Sequence, residues 1–127
     1  MDSLKATMLQ AVSGMQLQSK RIDITSQNVS NADTPGYRRK VLTVEQAPSS
    51  GSAFMQTRVD LDETEGERRY DPASPMSDPE GYVTSSNVSL VTEMADMREA
   101  NRSYEANLNS FRQARSMYQS LLDVLRR

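Results

Sequence analysis

Apolar residues near the start of the chain recur at Leu4, Met8, Ala11, Met15, Ile22 and Val29. The steps are 4, 3, 4, 7 and 7, with polar Gln18 and Thr25 in the two gaps. A heptad stripe of this kind predicts a helix over residues 3–31 with one broad apolar face. Val12, Leu17 and Ile24 lie beside the stripe and widen it. Gly14 costs a helix up to about 1 kcal/mol against Ala, so its place mid-helix suggests a close helix contact. Asn31 fits the left-handed position that ends many helices, and Pro35 disfavours helix at Thr34. Thr34-Pro35-Gly36-Tyr37 reads as a type II turn: Pro presets the first corner and Gly supplies the positive φ of the second.

The other end of the chain carries the longer stripe. Leu90, Met94, Met97, Asn101, Tyr104, Leu108, Phe111, Arg115, Tyr118, Leu122 and Leu125 alternate in steps of 4 and 3 without a break. Only Asn101 and Arg115 are polar. Asn101 is either a register-setting polar residue or a tolerated edge position. A 3.5-residue period imposes a left-handed supercoil on a helix that keeps the seam buried. At about 1.5 Å per residue, this helix spans roughly 50 Å. Asn87 or Ser89 can cap its start, Glu93 and Asp96 suit the positive end of its dipole, and Arg126 and Arg127 suit the negative end.

Between the helices the period changes. Val41, Thr43 and Glu45 alternate with Leu42 and Val44, which predicts a short strand. Phe54 to Asp62 reads the same way, with Met55, Thr57, Val59 and Leu61 on one face. Pro48 to Ser52 is a loop. Asp62 to Glu67 is acidic, and the stretch holding Pro72, Pro75 and Pro79 cannot be helical throughout. Arg38-Arg39-Lys40 reads more readily as a solvated strand edge than as a binding patch.

The fold class is therefore mainly α. Long N- and C-terminal helices pack as an antiparallel coiled-coil-like hairpin, crossing at about 20°, around a small loop-rich β insertion. The boundaries are 1–36 for the first helix and its turn, 37–86 for the β-rich middle and 87–127 for the heptad helix, with both termini in one helical core. Two helices bury one seam each. The flanking Val12, Leu17, Ile24, Ala100, Ala114 and Leu121 are then expected to stay exposed until further helices cover them. A head-to-tail contact that does not close gives a tube or filament.

Composition sharpens this picture. The 127 residues are 36% hydrophobic and their mean hydropathy is −0.68. Ordering each residue costs roughly 1–2 kcal/mol, so a lone copy with so little apolar area is marginal. The formal net charge of −2 provides no global field for nucleic acid. The absence of Cys and His removes disulfides, the usual zinc sites, thiolate nucleophiles and the commonest general base. No cofactor is expected. No apolar run is long enough to insert in a membrane, and the first residues do not read as a cleaved secretion signal.

Ser26-Gln27-Asn28-Val29-Ser30-Asn31-Ala32-Asp33-Thr34-Pro35-Gly36-Tyr37 resembles the signature of flagellar rod and hook axial proteins, with Ser30 where that family usually has Ala. The signature positions here are Asn28, Asn31, Thr34, Pro35, Gly36 and Tyr37. Tyr70 to Val83 is similar to a segment of flagellar basal-body rod proteins of the FlgC type. So is Asn87 to Met94, with Ser89 in place of the usual Asp, and so is Arg102 to Asn107. The resemblance implies a non-enzymatic subunit of the proximal rod, in the periplasm. Its implied partners are other copies of itself, other proximal-rod proteins, the hook–basal-body adaptor protein and the inner-membrane ring. It also implies transit through the flagellar type III export apparatus. The two seams become assembly seams.

Other classes compete with this. A sibling rod protein or a soluble coiled-coil adaptor shares the helical pattern, although the Gly81-Tyr82-Val83 and Asn87 segments argue against a sibling. A wall-cutting hydrolase needs paired carboxylates such as Asp60, Asp62 and Glu63 in a cleft that raises one pKa, and this polar loop offers no obvious cleft.

Overall fold

The computed structural model describes residues 2–45 and 56–126. The expected loop at Pro48–Ser52, strand residues Phe54 and Met55, and the terminal Arg127 lie outside the described residues. Helix α1 spans Asp2–Ser30 and helix α2 spans Leu90–Leu125. The helices pack on each other, and their contacts run in opposite order. The Lys5 ammonium lies 5.8 Å from the centre of the Tyr118 ring, Gly14 meets Asn107, and Asn28 meets Glu93. The pair is therefore antiparallel.

Three of the four buried apolar residues are alanines. Ala11, Ile24, Ala100 and Ala114 are each at most 8% exposed. A Cβ added to Gly14 would sit 2.7 Å from Asn107 Nδ2, so the Asn107 side chain rests directly on the glycine. This corrects the expectation for the flanking positions. Ile24, Ala100 and Ala114 are buried, Val12 and Leu17 are half-buried, and only Leu121 stays open at 40%. The reason is the phase of packing: the line along which α2 meets α1 passes through Ala100 and Ala114, and Ile24 lies where α1 meets residues 39–42 and Glu93.

Strand β1, Lys40–Glu45, pairs antiparallel with β2, Gln56–Leu61. Leu42 opposes Val59, Val44 opposes Thr57 and Lys40 opposes Leu61, so these side chains share one face. That face turns toward α1, where Lys20 Nζ donates to Thr57 Oγ1 at 3.0 Å. An open groove of about 310 Å³ remains between them, lined by Lys20, Ile24, Gln27, Leu42 and Val59 among others. A second antiparallel pair joins β3, Arg68–Tyr70, to β4, Tyr82–Thr84. The three prolines between them lie in successive turns closed by Ser74 N–H to Asp71 O at 3.2 Å, Ser77 N–H to Ser74 O at 3.1 Å and Gly81 N–H to Asp78 O at 2.9 Å. Tyr70 and Tyr82 oppose each other and meet edge to face at 5.3 Å.

Two-stranded pairs are marginal alone. Here backbone bonds lengthen each pair by one step and tie the second pair to the turn after α1. Gly36 N–H reaches Thr84 O at 2.9 Å, Ser85 N–H reaches Glu67 O at 2.7 Å, and Asp62 N–H reaches Arg39 O at 2.8 Å. The β-rich middle thus rests on the end of the helix pair where α1 stops and α2 starts.

Candidate functional site

The first helix ends on two asparagines with different tasks. No residue other than glycine has positive φ among the described residues, so Asn31 is not a left-handed cap. Its side chain does the capping instead: Nδ2 donates to Gln27 O at 2.9 Å, and Oδ1 accepts from Thr34 Oγ1 at 3.2 Å. The chain then turns as its sequence demands. Gly36 has φ +75, and Tyr37 N–H bonds Thr34 O at 3.2 Å, which makes Thr34–Tyr37 a type II turn.

Asn28 is the hub. Its side chain is 1% exposed and uses all four of its hydrogen-bonding positions. Nδ2 donates to Lys40 O at 3.0 Å and to Glu93 Oε2 at 3.3 Å. Oδ1 accepts from Tyr37 OH and from Lys40 N–H, each at 2.9 Å. One amide therefore joins α1, the turn, β1 and α2.

Glu93, also 1% exposed, is the second buried polar group. Its other oxygen takes the Arg39 guanidinium, which also lies 3.2 Å from Asp96 and 3.9 Å from Asp62. The hydrogen bond that Arg39 donates to Glu93, with the surrounding carboxylates, holds the Arg39 pKa above its ordinary value. Burial, with Glu93 nearby, pushes the Tyr37 phenol up as well. Arg39 is thus no solvated strand edge, because α2 brings two carboxylates of its first turns against it. Lys40 Nζ likewise bonds Gln27 Oε1 at 2.6 Å. Arg38 remains exposed.

The expected caps of α2 are redirected. Ser89 occupies the N-cap position without a side-chain cap bond. Asn87 crosses to the middle region: Oδ1 accepts from Arg39 N–H at 2.6 Å, and Nδ2 donates to Thr64 O at 2.7 Å and Asp62 O at 3.2 Å.

The seam residues fall into two groups. On α1, Ala11 is buried and Leu4, Met8, Met15, Ile22 and Val29 are half-buried. On α2, Met97, Tyr104, Leu108, Phe111, Tyr118 and Leu122 are half-buried. Leu90 at 47%, Met94 at 63% and Leu125 at 66% are exposed, as are Asn101 and Arg115. The side of α2 that meets α1 runs through Glu93, Ala100 and Ala114, so the exposed Leu90 and Met94 of the stripe lie to one side of it.

Of the carboxylates weighed for hydrolysis, Asp60 pairs with Arg58 at 3.0 Å. Asp62 accepts from Thr64 N–H at 2.9 Å, and this bond, with Arg39 nearby, holds it below the ordinary carboxylate range. That is the wrong direction for a general acid. Sequence reasoning missed Arg39 and Glu93 as partners. Charge type and periodicity held no signal for the pair, whereas Asn28 and Tyr37 were within reach as positions of the turn signature.

Two family models match the chain at its two ends. "Flagella basal body rod protein" covers residues 8–38, and "Flagellar basal body rod FlgEFG protein C-terminal" covers residues 80–124. A flagellar basal-body rod protein FlgC of Agrobacterium fabrum is 42% identical, over 99% of this chain and 98% of the relative. FlgC of Salmonella typhimurium is 33% identical over 84% of this chain and 87% of its own length. FlgC of Borreliella burgdorferi is 30% identical over 91% and 93%. The first family model begins inside α1 and ends just past the turn that Asn28 anchors, and the second takes in Glu93 and most of α2. With Asn28, Glu93 and the turn inside these matches and a relative 42% identical along 99% of this chain, the chain belongs to the FlgC family of flagellar basal-body rod proteins.

Proposed function

We propose that this chain polymerises through its terminal helices, with other copies and with other proximal-rod proteins, into the shaft that transmits torque and surrounds the export channel. Its class is that of its family: a structural component of the flagellar basal-body rod, assembling with other rod components, and not an enzyme. In this reading residues 1–36 and 87–127 form one core that tightens into a coiled-coil-like pair, and residues 37–86 face its surroundings. The hook–basal-body adaptor and the inner-membrane ring are its neighbours, the periplasm its compartment, and the flagellar type III export apparatus its route.

One observation carries the reading. Leu90, Met94 and Leu125 sit on a long helix with their side chains about half exposed or more. A helix that keeps large apolar groups in water while burying alanine against its partner has apolar surface left for other chains. Among the described residues, no helix is long and apolar enough to cross a membrane.

The test is complementation. A strain lacking the gene should be non-motile, and a tagged copy should restore swimming and co-purify with isolated basal bodies. Restored swimming with the tagged chain absent from those basal bodies would overturn the proposal.

A further inference from the structure

Gly14 is the one glycine of either helix. A glycine weakens a helix interior, and alanine in its place strengthens it. What rests on Gly14 accounts for the choice. A Cβ there would lie 2.7 Å from Asn107 Nδ2 and 2.8 Å from both its Cγ and its Oδ1, so the whole amide group covers the glycine. Asn107 is half-buried, and its Nδ2 donates to Ser103 O at 3.0 Å on its own helix. Swinging the amide aside therefore breaks a hydrogen bond.

This contact keeps step with the polar hub. Gly14 lies 14 positions before Asn28, and Asn107 lies 14 positions after Glu93. Two heptads therefore separate the two contacts on both helices. The same count sets Arg21 opposite Ala100 midway between them, a long side chain facing an alanine that is 0% exposed. Ala100 and Ala114 present the same methyl group to α1, so by themselves they do not choose between alignments. A slide of one heptad carries Asn107 from Gly14 to Thr7 or to Arg21, and either residue puts a Cβ where the amide lies.

We propose that Gly14 and Asn107 form a register lock between the two helices. Gly14 is the socket, Asn107 is the key, and Asn107 specifies the alignment in the half of the pair remote from Asn28 and Glu93. The hub alone fixes one point, and a second point two heptads away holds the helices in step along their length. A residue that fits one alignment and collides in the neighbouring ones selects by exclusion as well as by contact. The lock lies within one chain and does not rest on the rod-subunit reading above.

The chain has no cysteine, so introduced pairs report the alignment. Arg21→Cys with Ala100→Cys marks the native alignment. Gln18→Cys with Met97→Cys marks a slide of one heptad, since Gln18 falls opposite Ser103 and Tyr104 by the same count. A disulfide needs Cα atoms within about 7 Å, so each pair links in one alignment only. Each full-length chain is oxidised both purified and in isolated basal bodies, and intramolecular links are read by electrophoresis and peptide mass mapping. The native pair is expected to link many-fold more than the displaced pair. Gly14→Ala should lower the native link several-fold. Adding Asn107→Ala, which removes the three crowded atoms, should restore it. Thermal unfolding of the helical signal adds a sign. A glycine that is merely tolerated gives a raised midpoint for Gly14→Ala in every background, by helix propensity. The lock requires a lowered midpoint with Asn107 present and a raised one with Asn107→Ala. Comparable links from the two pairs, no native link in either preparation, or a midpoint raised by Gly14→Ala alone would overturn the lock. A chain missing from basal bodies counts against the rod reading only, because the purified chain still decides the lock.

Discussion

Asn28 and Glu93 stand 65 positions apart, and their side chains meet at 3.3 Å with each residue 1% exposed. This contact fixes where the first helix stops against where the second starts. Breaking it leaves polar groups stranded in a site that excludes water. Asn28→Ala removes the partner of Tyr37 OH, of Lys40 N–H and O, and of one Glu93 oxygen. Each buried group left unpaired costs about 1–3 kcal/mol, so a loss of about 3 kcal/mol or more is expected. In so marginal a fold that removes most of the folded population, read as a drop in helical circular dichroism. A helical signal unchanged from wild type through a urea titration would sink the hub assignment.

The ion pair makes an asymmetric prediction. Arg39→Ala leaves Glu93 buried and unpaired, which costs about 3–5 kcal/mol. Glu93→Gln keeps the shape, and Arg39 retains Asp96 and Asp62. The glutamine variant should therefore retain clearly more structure than the alanine variant in parallel urea titrations. Equal losses would mean that Glu93 is better solvated than its exposure indicates.

Acid should loosen the middle region first. Asp62 is held below the ordinary carboxylate range by Thr64 N–H, and Asp78 by Tyr82 N–H with Arg68. A carboxyl with a lower pKa folded than unfolded stabilises the fold above its unfolded pKa. That contribution fades as pH falls from about 4 through the depressed folded value. Carboxyl carbon NMR should show both groups titrating below their unfolded values. The Asp62→Asn and Asp78→Asn variants should each flatten the acid limb of unfolding.

Glycines separate strain from collision. Gly36→Ala meets nothing within 4 Å but must hold φ +75, which costs an L-residue about 1–2 kcal/mol. Gly66→Ala drives a Cβ onto the Ser85 carbonyl, a backbone atom that cannot swing aside. Gly66→Ala should be the more damaging by thermal midpoint.

Much of the fold was legible because it is periodic. The stripes located both helices, and alternation found β1 and β2. The type II turn followed from Pro35 and Gly36. The packing phase was less accessible, for a physical reason. A stripe of large apolar residues marks where a helix can be buried, whereas close approach selects the smallest residues, here Gly14, Ala100 and Ala114. The polar clamp was hidden for another reason. Glu93 and Asp96 are well placed for a helix dipole in any first turn, and only the return of the chain through Asn87 brings Arg39 against them.

The same difference of phase separates folding from assembly. Leu108→Asp or Phe111→Asp puts a charge into a half-buried contact and is expected to block rod formation and swimming. Because both residues also lie against the helix pair, a folding defect alone could produce that result. Met94→Asp is cleaner. Met94 is 63% exposed, so the substitution should leave the circular dichroism of the isolated chain within error of wild type. If the exposed part of the stripe meets another subunit, the variant should still be made and exported yet fail to enter basal bodies. Normal incorporation and swimming for Met94→Asp would move the assembly seam to the half-buried margin around Leu108.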